Sequence, residues 1–278
     1  MTNDKKVAIV TGSSSGIGNA IVLELARNNF ITYGTMRNLD KISDLKTIAD
    51  QENLKIYFKQ LDVTDDNSVK NAINSIVEET GRIDVLVNNA GYGLVGAFED
   101  LSLDEVQKQF ETNVFGVIRV TQAVLPTMRK QESGIIVNIS SGAGRFGYPT
   151  ASAYVSSKFA LEGLTESMSY EIEPFGIRTV LIEPGVIKTN FFNSMSLARK
   201  SKDPDSPYLQ MMQVMEKSVT KMLEKGTIPQ YVAKTVLEAV TSKNPKLRYL
   251  VGKDVEQWIE NKKKMSDEEF HDMMALLG

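Results

Sequence analysis

The sequence predicts an α/β fold built on a doubly wound parallel sheet of about seven strands. Short apolar runs rich in Val, Ile and Leu alternate with longer segments that have helical periodicity. Such runs are typical of parallel strands, because a strand covered by helices on both faces is apolar along its whole length. No Pro-, Gly- or Ser-rich linker interrupts the chain, so we expect one domain over 1–278.

Each predicted element follows from its local pattern. The apolar runs predict strands at 6–10, 32–36, 56–60, 85–91, 134–140, 178–185 and 248–252. The periodic segments predict helices at 17–29, 40–52, 66–80, 102–130, 152–174 and 229–242. Pro126 is expected to bend the long helix near its end.

The alternation stops after residue 186. We interpret 190–225, which is polar and then Met-rich, as a helical flap that covers the substrate, and 254–278 as a charged helical tail. The apolar side chains of the flap either line an adaptable pocket or pack the flap onto the body, and the sequence favours neither. These side chains are Phe191, Phe192, Met195, Met211, Met212 and Met215.

Composition excludes several classes of function. The chain has no cysteine, which excludes disulfides and thiolate metal sites, and its net charge of −3 offers no basic surface for nucleic acid. The single histidine, His271, is expected on the surface, so we expect neither a histidine triad nor a metal site. No apolar run approaches the ~20 residues that span a bilayer, and no signal-peptide pattern is present. We therefore expect no membrane span and a cytoplasmic location.

A glycine-rich loop, "VTGSSSGIGNA", joins the first strand to the first helix. Gly12, Gly16 and Gly18 form the pattern G-x-x-x-G-x-G. Glycine there permits a tight turn, close approach of a pyrophosphate and close packing of the helix on the sheet, while the helix N-terminus offers free N–H groups. The spacing differs from G-x-G-x-x-G, and a turn without a ligand is the alternative. The position of the loop favours nucleotide binding.

Two Y-x-x-x-K pairs occur, and their predicted context separates them. Tyr154 and Lys158 lie four residues apart in the predicted helix 152–174, which places them on one face about 5–6 Å apart. Tyr249 and Lys253 lie in a strand-like stretch, about 13 Å apart. A close cation favours the phenolate, so Lys158 is expected to lower the pKa of Tyr154 from its usual value near 10. The alternative is an exposed pair without chemistry.

Several short motifs occur in a fixed order along the chain. They are "TGSSSGIG", "LDVT" (61–64), "NNAG" (88–91), "ISSGAG" (139–144), Y-x-x-x-K and "PGVIKT" (184–189). Together they resemble the short-chain dehydrogenase/reductase family, in its single-domain branch, over roughly residues 5–190. The resemblance implies a Rossmann-type fold and hydride transfer between a nicotinamide cofactor and a carbonyl or alcohol. The segment "MRNLDK" and the long C-terminal region are similar, more weakly, to steroid- and retinol-dehydrogenase-like members.

The resemblance also implies a catalytic set of four residues. Tyr154 would be the general acid/base, and Ser141 would hydrogen-bond the substrate oxygen. Lys158 would bind the nicotinamide ribose, and Asn113 would hold a water that links Lys158 to solvent. Ser140 is the alternative to Ser141, although the thirteen-residue spacing to Tyr154 favours Ser141. In isolation, Asn113 could be a helix-interior asparagine that bonds the backbone, although the functional interpretation is favoured.

The end of the second strand, "YGTMRNLD", indicates which cofactor is used. NAD enzymes place an acidic residue there, whereas an arginine suits the 2′-phosphate of NADP. Met36 stands at the acidic position and Arg37 follows it, so we expect NADP (NADPH) in preference to NAD. Asp40 could compete for this role, and Ser15 stands where many NADP-preferring relatives carry a basic residue.

The resemblance implies further cofactor contacts along the same crevice. Asp62 is expected at the adenine amine, Asn89 on the adenosine side, and Ile187 and Thr189 at the nicotinamide carboxamide. The full set assigned to the cofactor is Gly12, Ser14, Ser15, Gly16, Ile17, Gly18, Arg37, Asp62, Val63, Asn89, Ala90, Gly91, Tyr154, Lys158, Pro184, Gly185, Ile187 and Thr189.

The substrate is expected to be a lipophilic ketone, aldehyde or secondary alcohol. Apolar side chains in loops that follow strands are candidates for its pocket, namely Tyr92, Leu94, Phe146 and Tyr148. By analogy with the family, a homodimer or homotetramer would pair through helices 102–130 and 152–174. The alternative function is a non-catalytic NADP(H)-sensing protein of the same fold, and the complete catalytic set favours the enzyme.

Overall fold

A seven-stranded parallel sheet is the centre of the computed structural model, which describes residues 5–191 and 195–276. The strands in chain order, two of them outside the central sheet, are β1 (Val7–Thr11), β2 (Ile31–Met36), β3 (Ile56–Gln60), β4 (Val85–Asn88), β5 (Leu94–Val95), β6 (Gly134–Ile139), β7 (Ile177–Pro184), β8 (Ser196–Leu197) and β9 (Arg248–Val251). The spatial order of the sheet is β3-β2-β1-β4-β6-β7-β9, and every pairing is parallel. This confirms the predicted doubly wound sheet.

The helices cover both faces of this sheet. They are α1 (Gly16–Arg27), α2 (Ser43–Gln51), α3 (Asp66–Thr80), α4 (Leu103–Phe110), α5 (Gly116–Gln131), α6 (Ser152–Ile172), α7 (Leu209–Lys225), α8 (Pro229–Thr241), α9 (Lys253–Lys264) and α10 (Asp267–Ala275). Short 3₁₀ turns precede α2 and follow α6. The order of elements in the described residues is therefore the alternation that the sequence predicts.

The single helix predicted over 102–130 was wrong in one respect. The segment contains α4 and α5, joined by a π-helical turn at Glu111–Phe115. Pro126 lies inside α5, so the irregularity falls at Asn113 instead of at the proline. A π turn forms where a side chain or a neighbouring element displaces the regular ladder, and apolar periodicity carries no sign of that.

The tail 254–278 was also predicted as one unit. Its described part consists of α9 and α10, and Ser266 begins α10 with a capping box that includes Glu269. Lys253 is the first residue of α9 and does not belong to the strand, while the Tyr249 hydroxyl accepts a hydrogen bond from the Lys246 N–H at 3.0 Å. The second Y-x-x-x-K match is therefore unrelated to the first.

Alternate residues of the strands pack into two separate hydrophobic layers, one on each face of the sheet. In β1, Val7 and Ile9 pack toward α3 and α5, and Ala8 and Val10 pack toward α1 and α8. Successive side chains of a strand point to opposite faces, so both faces must be apolar to be covered. This explains why the strands read as continuous apolar runs.

A buried network of amides and hydroxyls links the centre of the sheet to two helices. The Asn88 amide donates to Asn138 Oδ1 at 2.8 Å and to Thr121 Oγ1 at 3.0 Å. The Asn138 amide in turn donates to Thr165 Oγ1 at 2.8 Å. The network thus ties β4 and β6 to α5 and α6, which carry the catalytic candidates.

The flap and the tail meet the body at separate points. β5 pairs with β8 in a small parallel sheet that the sequence did not predict, and α7 follows it. The flap residue Phe192 lies outside the described residues. The helices α9 and α10 pack around Phe146, whose ring lies 5.6 Å from that of Trp258 and 5.7 Å from that of Phe270.

The described residues were also compared with the requirements of a membrane-spanning helix and of a metal site. Within 5–191 and 195–276, no helix is both long and apolar enough to cross a membrane. The same residues contain no group of three or more His, Cys, Asp or Glu side chains placed to hold a metal ion. The side chain of His271 is 81% exposed, as predicted.

We predict that Asn138→Ala lowers the free energy of unfolding by about 2–4 kcal/mol, because it leaves the Asn88 donor and the Thr165 hydroxyl buried without their partner. Chemical denaturation measures this change. The control is Asn71→Ala on the exposed face of α3, for which we expect a change within about 0.5 kcal/mol. Equal effects of the two substitutions would contradict the importance of the network.

Candidate active site

The glycine loop forms an open cradle between β1 and α1. Gly12 and Gly16 have φ angles of 66° and 58°, in the left-handed region that favours glycine. A Cβ atom on Gly18 would lie 2.5 Å from Asn89 Nδ2 and 2.6 Å from the Gly12 carbonyl oxygen. The Ser15 side chain makes no capping hydrogen bond to α1, so the first N–H groups of the helix remain available to an anion.

Thr11 and Asn89 hold this loop in place. Thr11 Oγ1 accepts hydrogen bonds from the N–H groups of Asn89 and Ala90 at 3.0 and 3.1 Å. The Asn89 amide donates to the carbonyl oxygens of Thr11 and Gly12 at 2.9 and 3.0 Å. Asn89 therefore contacts the glycine loop directly, in addition to lining the crevice assigned to adenosine. Thr11 was not among the predicted residues.

A cavity of about 1370 Å³ runs from the glycine loop to α7 and the C-terminal helices. It is lined by every residue assigned to the cofactor except Gly18, which lies under the loop, and by Ser141. Its floor is the edge at which the parallel strands end, and the strand order reverses there between β1 and β4. Ligands of open α/β sheets bind at such a reversal, and the glycine cradle fits a pyrophosphate.

Tyr154, Lys158 and Ser141 come together on the wall of this cavity. Tyr154 and Lys158 lie one turn apart in α6, and Lys158 Nζ is 5.7 Å from the centre of the Tyr154 ring. Ser141 follows β6, and hydrogen bonding from its side chain lowers the pKa of Tyr154, against the effect of burial. By contrast, the Ser140 hydroxyl is buried and has no hydrogen-bond partner among the described residues. The catalytic role of Ser141 in preference to Ser140 stays a prediction.

Burial controls the protonation of the Tyr–Lys pair. It raises the pKa of Tyr154 to about 12, against a lowering by Ser141. The expected lowering by Lys158 was wrong for this structure, because burial dominates the pKa of Tyr154, while the ammonium group donates to the Ile139 carbonyl oxygen at 2.8 Å. Burial also lowers the pKa of Lys158 to about 8, against a raising by Glu162. The tyrosine is therefore neutral and the lysine cationic near pH 7.

Asn113 lies in the π turn between α4 and α5, and its side chain is fully buried. Its Oδ1 accepts from the Tyr92 N–H at 3.1 Å, and its Nδ2 donates to the Tyr92 carbonyl oxygen at 3.0 Å and to Ser157 Oγ at 3.2 Å. The amide thus fixes the loop after β4 against α6, next to the Tyr–Lys pair. The water-holding role that the resemblance implies stays a prediction.

Gln109 also binds the loop after β4, and the sequence analysis missed this residue. Its amide donates to the Tyr92 carbonyl oxygen at 2.6 Å, and its Oε1 accepts from the Leu94 N–H at 2.6 Å. Gln109 and Asn113 are four residues apart, so polar residues at helical spacing in an otherwise amphipathic segment were the available signal. That signal is weak, because exposed polar residues show the same spacing.

Asp254 is a second residue that the sequence analysis missed. It lies in the first turn of α9, and its Oδ2 accepts a hydrogen bond from the Val186 N–H at 2.6 Å. Gly185 and Gly252 leave room for this carboxylate, since a Cβ atom on either would collide with it. The tail therefore supports the loop 184–189, and only the fold brings these distant segments together.

The substrate side of the cavity is apolar and comes from three parts of the chain. From the flap, Phe191, Met195, Met212 and Met215 line it, and the Phe191 ring centre lies 6.0 Å from that of Tyr154. Met211 is exposed and lines no part of it. Tyr92, Phe146 and Tyr148 line it as predicted, together with Trp258 and Met274 from the C-terminal helices.

Leu94 was expected to line the substrate pocket, and the structure places it elsewhere. It lies in β5 and is buried against Ala153 and Ala198, so it supports the floor of the cavity and does not line it. The π turn and the β5–β8 pairing set this position, and neither was visible in the sequence.

Comparisons with known proteins agree with this geometry. The family model described as short chain dehydrogenase matches residues 6–200. The chain is 43% identical over 257 residues to the uncharacterized oxidoreductase YusZ of Bacillus subtilis, covering 91% of each chain. It is 36% identical to the 3-ketodihydrosphingosine reductase of Bacteroides thetaiotaomicron (89% and 88% covered) and 37% identical to retinol dehydrogenase 8 of Bos taurus (89% and 82% covered).

Solved structures give the same result. A short-chain dehydrogenase from Streptomyces avermitilis superposes with a TM-score of 0.83 at 31% identity, covering 98% of this chain and 97% of the other. An actinorhodin polyketide ketoreductase with NADPH superposes with a TM-score of 0.79 at 26% identity, covering 91% and 98%. The matched segment includes the glycine loop, Ser141, Tyr154 and Lys158. The chain therefore belongs to the short-chain dehydrogenase family of oxidoreductases.

Proposed function

We propose that the protein is an NADP(H)-dependent reductase that interconverts a lipophilic carbonyl compound and its alcohol, with Tyr154 as the general acid/base. The observation that carries the proposal is the position of Tyr154, Ser141 and Lys158 on the wall of the same cavity as the glycine loop. A carbonyl group at this wall would lie between a proton donor and an apolar surface.

The chain's own residues suit the proton transfer of a reduction. The bound nicotinamide supplies the hydride that forms the new C–H bond, and the carbonyl oxygen then needs a proton. Tyr154 is neutral near pH 7 and can donate that proton, while Ser141 can hydrogen-bond the same oxygen. Lys158 is cationic below its pKa and favours the phenolate that Tyr154 becomes. Asn113 and Gln109 would keep the neighbouring loop in position.

The proposed preference for NADP rests on the end of β2. Met36 is buried, so no carboxylate occupies the place that would bind a ribose 2′-hydroxyl. Arg37 follows it, is exposed and lines the cavity. Asp40 lies in the next turn, does not line the cavity, and its N–H is bound by Asn38 Oδ1 at 2.8 Å. The related ketoreductase structure that contains NADPH is consistent with this preference.

The proposed substrate class rests on the apolar end of the cavity. Aromatic and methionine side chains predominate there, and methionine adapts to irregular shapes. Two of the relatives, the 3-ketodihydrosphingosine reductase and retinol dehydrogenase 8, are named for lipophilic compounds. We propose a ketone, aldehyde or secondary alcohol with a substantial apolar part.

We further propose that 1–278 forms one Rossmann-type domain, with 190–225 as the substrate flap and 254–278 as a tail that supports the site. A homodimer or homotetramer would pair through α4, α5 and α6. These helices, the π turn between α4 and α5, and the turn after α6 expose large apolar side chains that a second copy could cover, namely Leu103, Phe115, Phe159, Tyr170 and Phe175. The absence of cysteine agrees with a cytoplasmic location.

The second candidate is an NADP(H)-sensing protein without turnover. It would need the cradle and Arg37, and it could use Lys158 to bind the nicotinamide ribose. It would have no use for Tyr154 as a proton donor or for Ser141 beside it. The geometry therefore favours the enzyme.

We predict that Tyr154→Phe strongly slows carbonyl reduction while NADPH still binds, because the substitution removes the proton-donating hydroxyl and keeps the ring that lines the cavity. Oxidation of NADPH with a panel of aliphatic, aromatic and steroidal carbonyls measures turnover, and NADPH fluorescence measures binding. Loss of general acid catalysis typically costs about 10²–10⁴ in rate.

The matched control for this experiment is Tyr249→Phe, which changes the tyrosine of the other Y-x-x-x-K match and should keep full activity. If wild-type protein binds NADPH yet neither reduces any carbonyl nor oxidises the corresponding alcohols, the sensor is the better explanation.

We predict that Arg37→Ala weakens NADPH much more than NADH. Loss of a guanidinium–phosphate contact should raise the KM for NADPH about tenfold or more, which corresponds to ~1.4 kcal/mol, and leave the KM for NADH nearly unchanged. Steady-state kinetics with both cofactors measures this. Lys41→Ala removes a nearby exposed cation and is the control. Equal effects on both cofactors would refute the assigned preference.

We predict that kcat/KM for reduction is constant near pH 6–7 and falls as the pH rises through about 8. Lys158 loses its charge in that range because burial lowers its pKa to about 8, whereas Tyr154, with a pKa of about 12, keeps its proton. The pH dependence of kcat/KM reports groups of the free enzyme and tests this directly. A rate that stays constant to pH 10 would show that the lysine charge is dispensable.

A further inference from the structure

The protein buries a cluster of charges that the catalytic set does not include. Glu183 in β7 is fully buried, and its Oε1 lies 3.1 Å from Arg145 Nη1 and 3.2 Å from Arg248 Nε. The same Arg248 Nε lies 3.0 Å from Oε2 of Glu162 in α6. The two buried carboxylates therefore share Arg248, and Glu183 pairs with Arg145 as well. Removing one partner from such a cluster leaves the others uncompensated.

Glu162 connects this cluster to the active site. It follows Lys158 by one turn of α6, so both side chains lie on one face of the helix. Glu162 is 5% exposed and Lys158 is 7% exposed, so little solvent screens their attraction. Oε2 of Glu162 is held by Arg248, whereas its Oε1 is buried and accepts no hydrogen bond from the described residues.

A buried ammonium group needs such a neighbour. Lys158 Nζ donates one hydrogen bond within the described residues, to the Ile139 carbonyl oxygen. A single neutral acceptor compensates poorly for the lost hydration of a cation, and the lysine would tend to release its proton. The charge of Glu162 acts in the opposite direction and raises the pKa of Lys158.

We propose that Glu162, held by Arg248, is a positioning residue that keeps the buried Lys158 ammonium charged beside Tyr154. It acts through Lys158 and does not contact the substrate. The inference rests on the proposed function, in which Lys158 must be cationic when Tyr154 gives up its proton.

The other charged groups near Lys158 do not replace Glu162. Tyr154 on the same helix is neutral below its pKa of about 12. Glu183 from β7 is already bound by the two arginines, and burial raises its pKa to about 6. Glu166 lies one turn beyond Glu162, is 48% exposed, and pairs with the outer nitrogen of the shared arginine at 2.7 Å.

The test is Glu162→Gln, which keeps the size of the side chain and removes its charge. The alkaline limb of kcat/KM for carbonyl reduction should move to lower pH by about one unit or more, because an opposite charge at close range shifts a pKa by that amount. The rate at pH 6, where Lys158 remains protonated in the variant, should stay close to that of the wild type.

Glu166→Gln is the matched control. It also removes a carboxylate from Arg248 and from the same helix, but its charge is solvent-screened and further from Lys158. We expect the alkaline limb of kcat/KM in Glu166→Gln to lie at the same pH as in the wild type. Melting temperatures of both variants report their stability. If Glu162→Gln is less stable yet keeps the wild-type pH profile, Glu162 is only structural and the proposal is wrong.

Arg248→Gln provides a second variant with the opposite expected sign. It removes the cation that partly neutralises Glu162, so the limb should move to higher pH. If Glu162 and Arg248 were only structural, the two substitutions would not move the alkaline limb of kcat/KM in opposite directions. A move of this limb to lower pH in Arg248→Gln would overturn the proposal. This variant also tests the proposal if Glu162→Gln does not fold.

A measurement without substrate separates this inference from the proposed function. Trace acetylation with acetic anhydride between pH 6 and 10, followed by peptide mass spectrometry, gives the apparent pKa of Lys158. A lower pKa in Glu162→Gln than in the wild type supports the proposal, even if no carbonyl is reduced and the proposed function fails. Equal pKa values in the two proteins overturn it, even if the wild type is an active reductase.

Discussion

The parallel alignment of the seven strands is the constraint on which the site depends. Because every strand runs the same way, all their carboxyl ends meet at one edge, and the strand order reverses between β1 and β4. The loops at this edge follow the strands in turn and carry the candidate ligand-binding residues. These include Gly12 after β1, Arg37 after β2, Asp62 after β3, Asn89 after β4, Ser141 after β6 and Gly185 after β7.

Parallel alignment also requires that both faces of the sheet be buried, and this shapes the electrostatics of the site. α6 packs against the sheet and carries Tyr154 and Lys158 into a region with little water. Burial keeps the phenol protonated and makes the ammonium group easy to discharge, so the two pKa values move apart. A nearby carboxylate, Glu162, opposes the discharge of the lysine. The chemistry assigned to the pair thus depends on charges outside the cavity.

Elements at the periphery hold the loops of this edge in place. Asn113 and Gln109 bind the backbone at Tyr92, and Asp254 binds the backbone at Val186. These contacts join segments far apart in the chain, so a change in the C-terminal helices can alter the loop beside the proposed nicotinamide position. The π turn that joins α4 to α5 is part of this arrangement, because it contains Asn113.

The sequence by itself determined the seven strands, the glycine cradle and the Tyr154–Lys158 pair, because these depend on local period and spacing: continuous apolar runs, glycines at a turn, and two residues one helical turn apart. It also favoured Ser141 over Ser140. Only the tertiary structure decided the pKa of Tyr154, the position of Leu94, the hydrogen bond between Asp254 and the Val186 N–H, and the charges around Glu162. Each of these depends on burial or on contacts between distant segments, and neither quantity is encoded in the pattern of neighbouring residues.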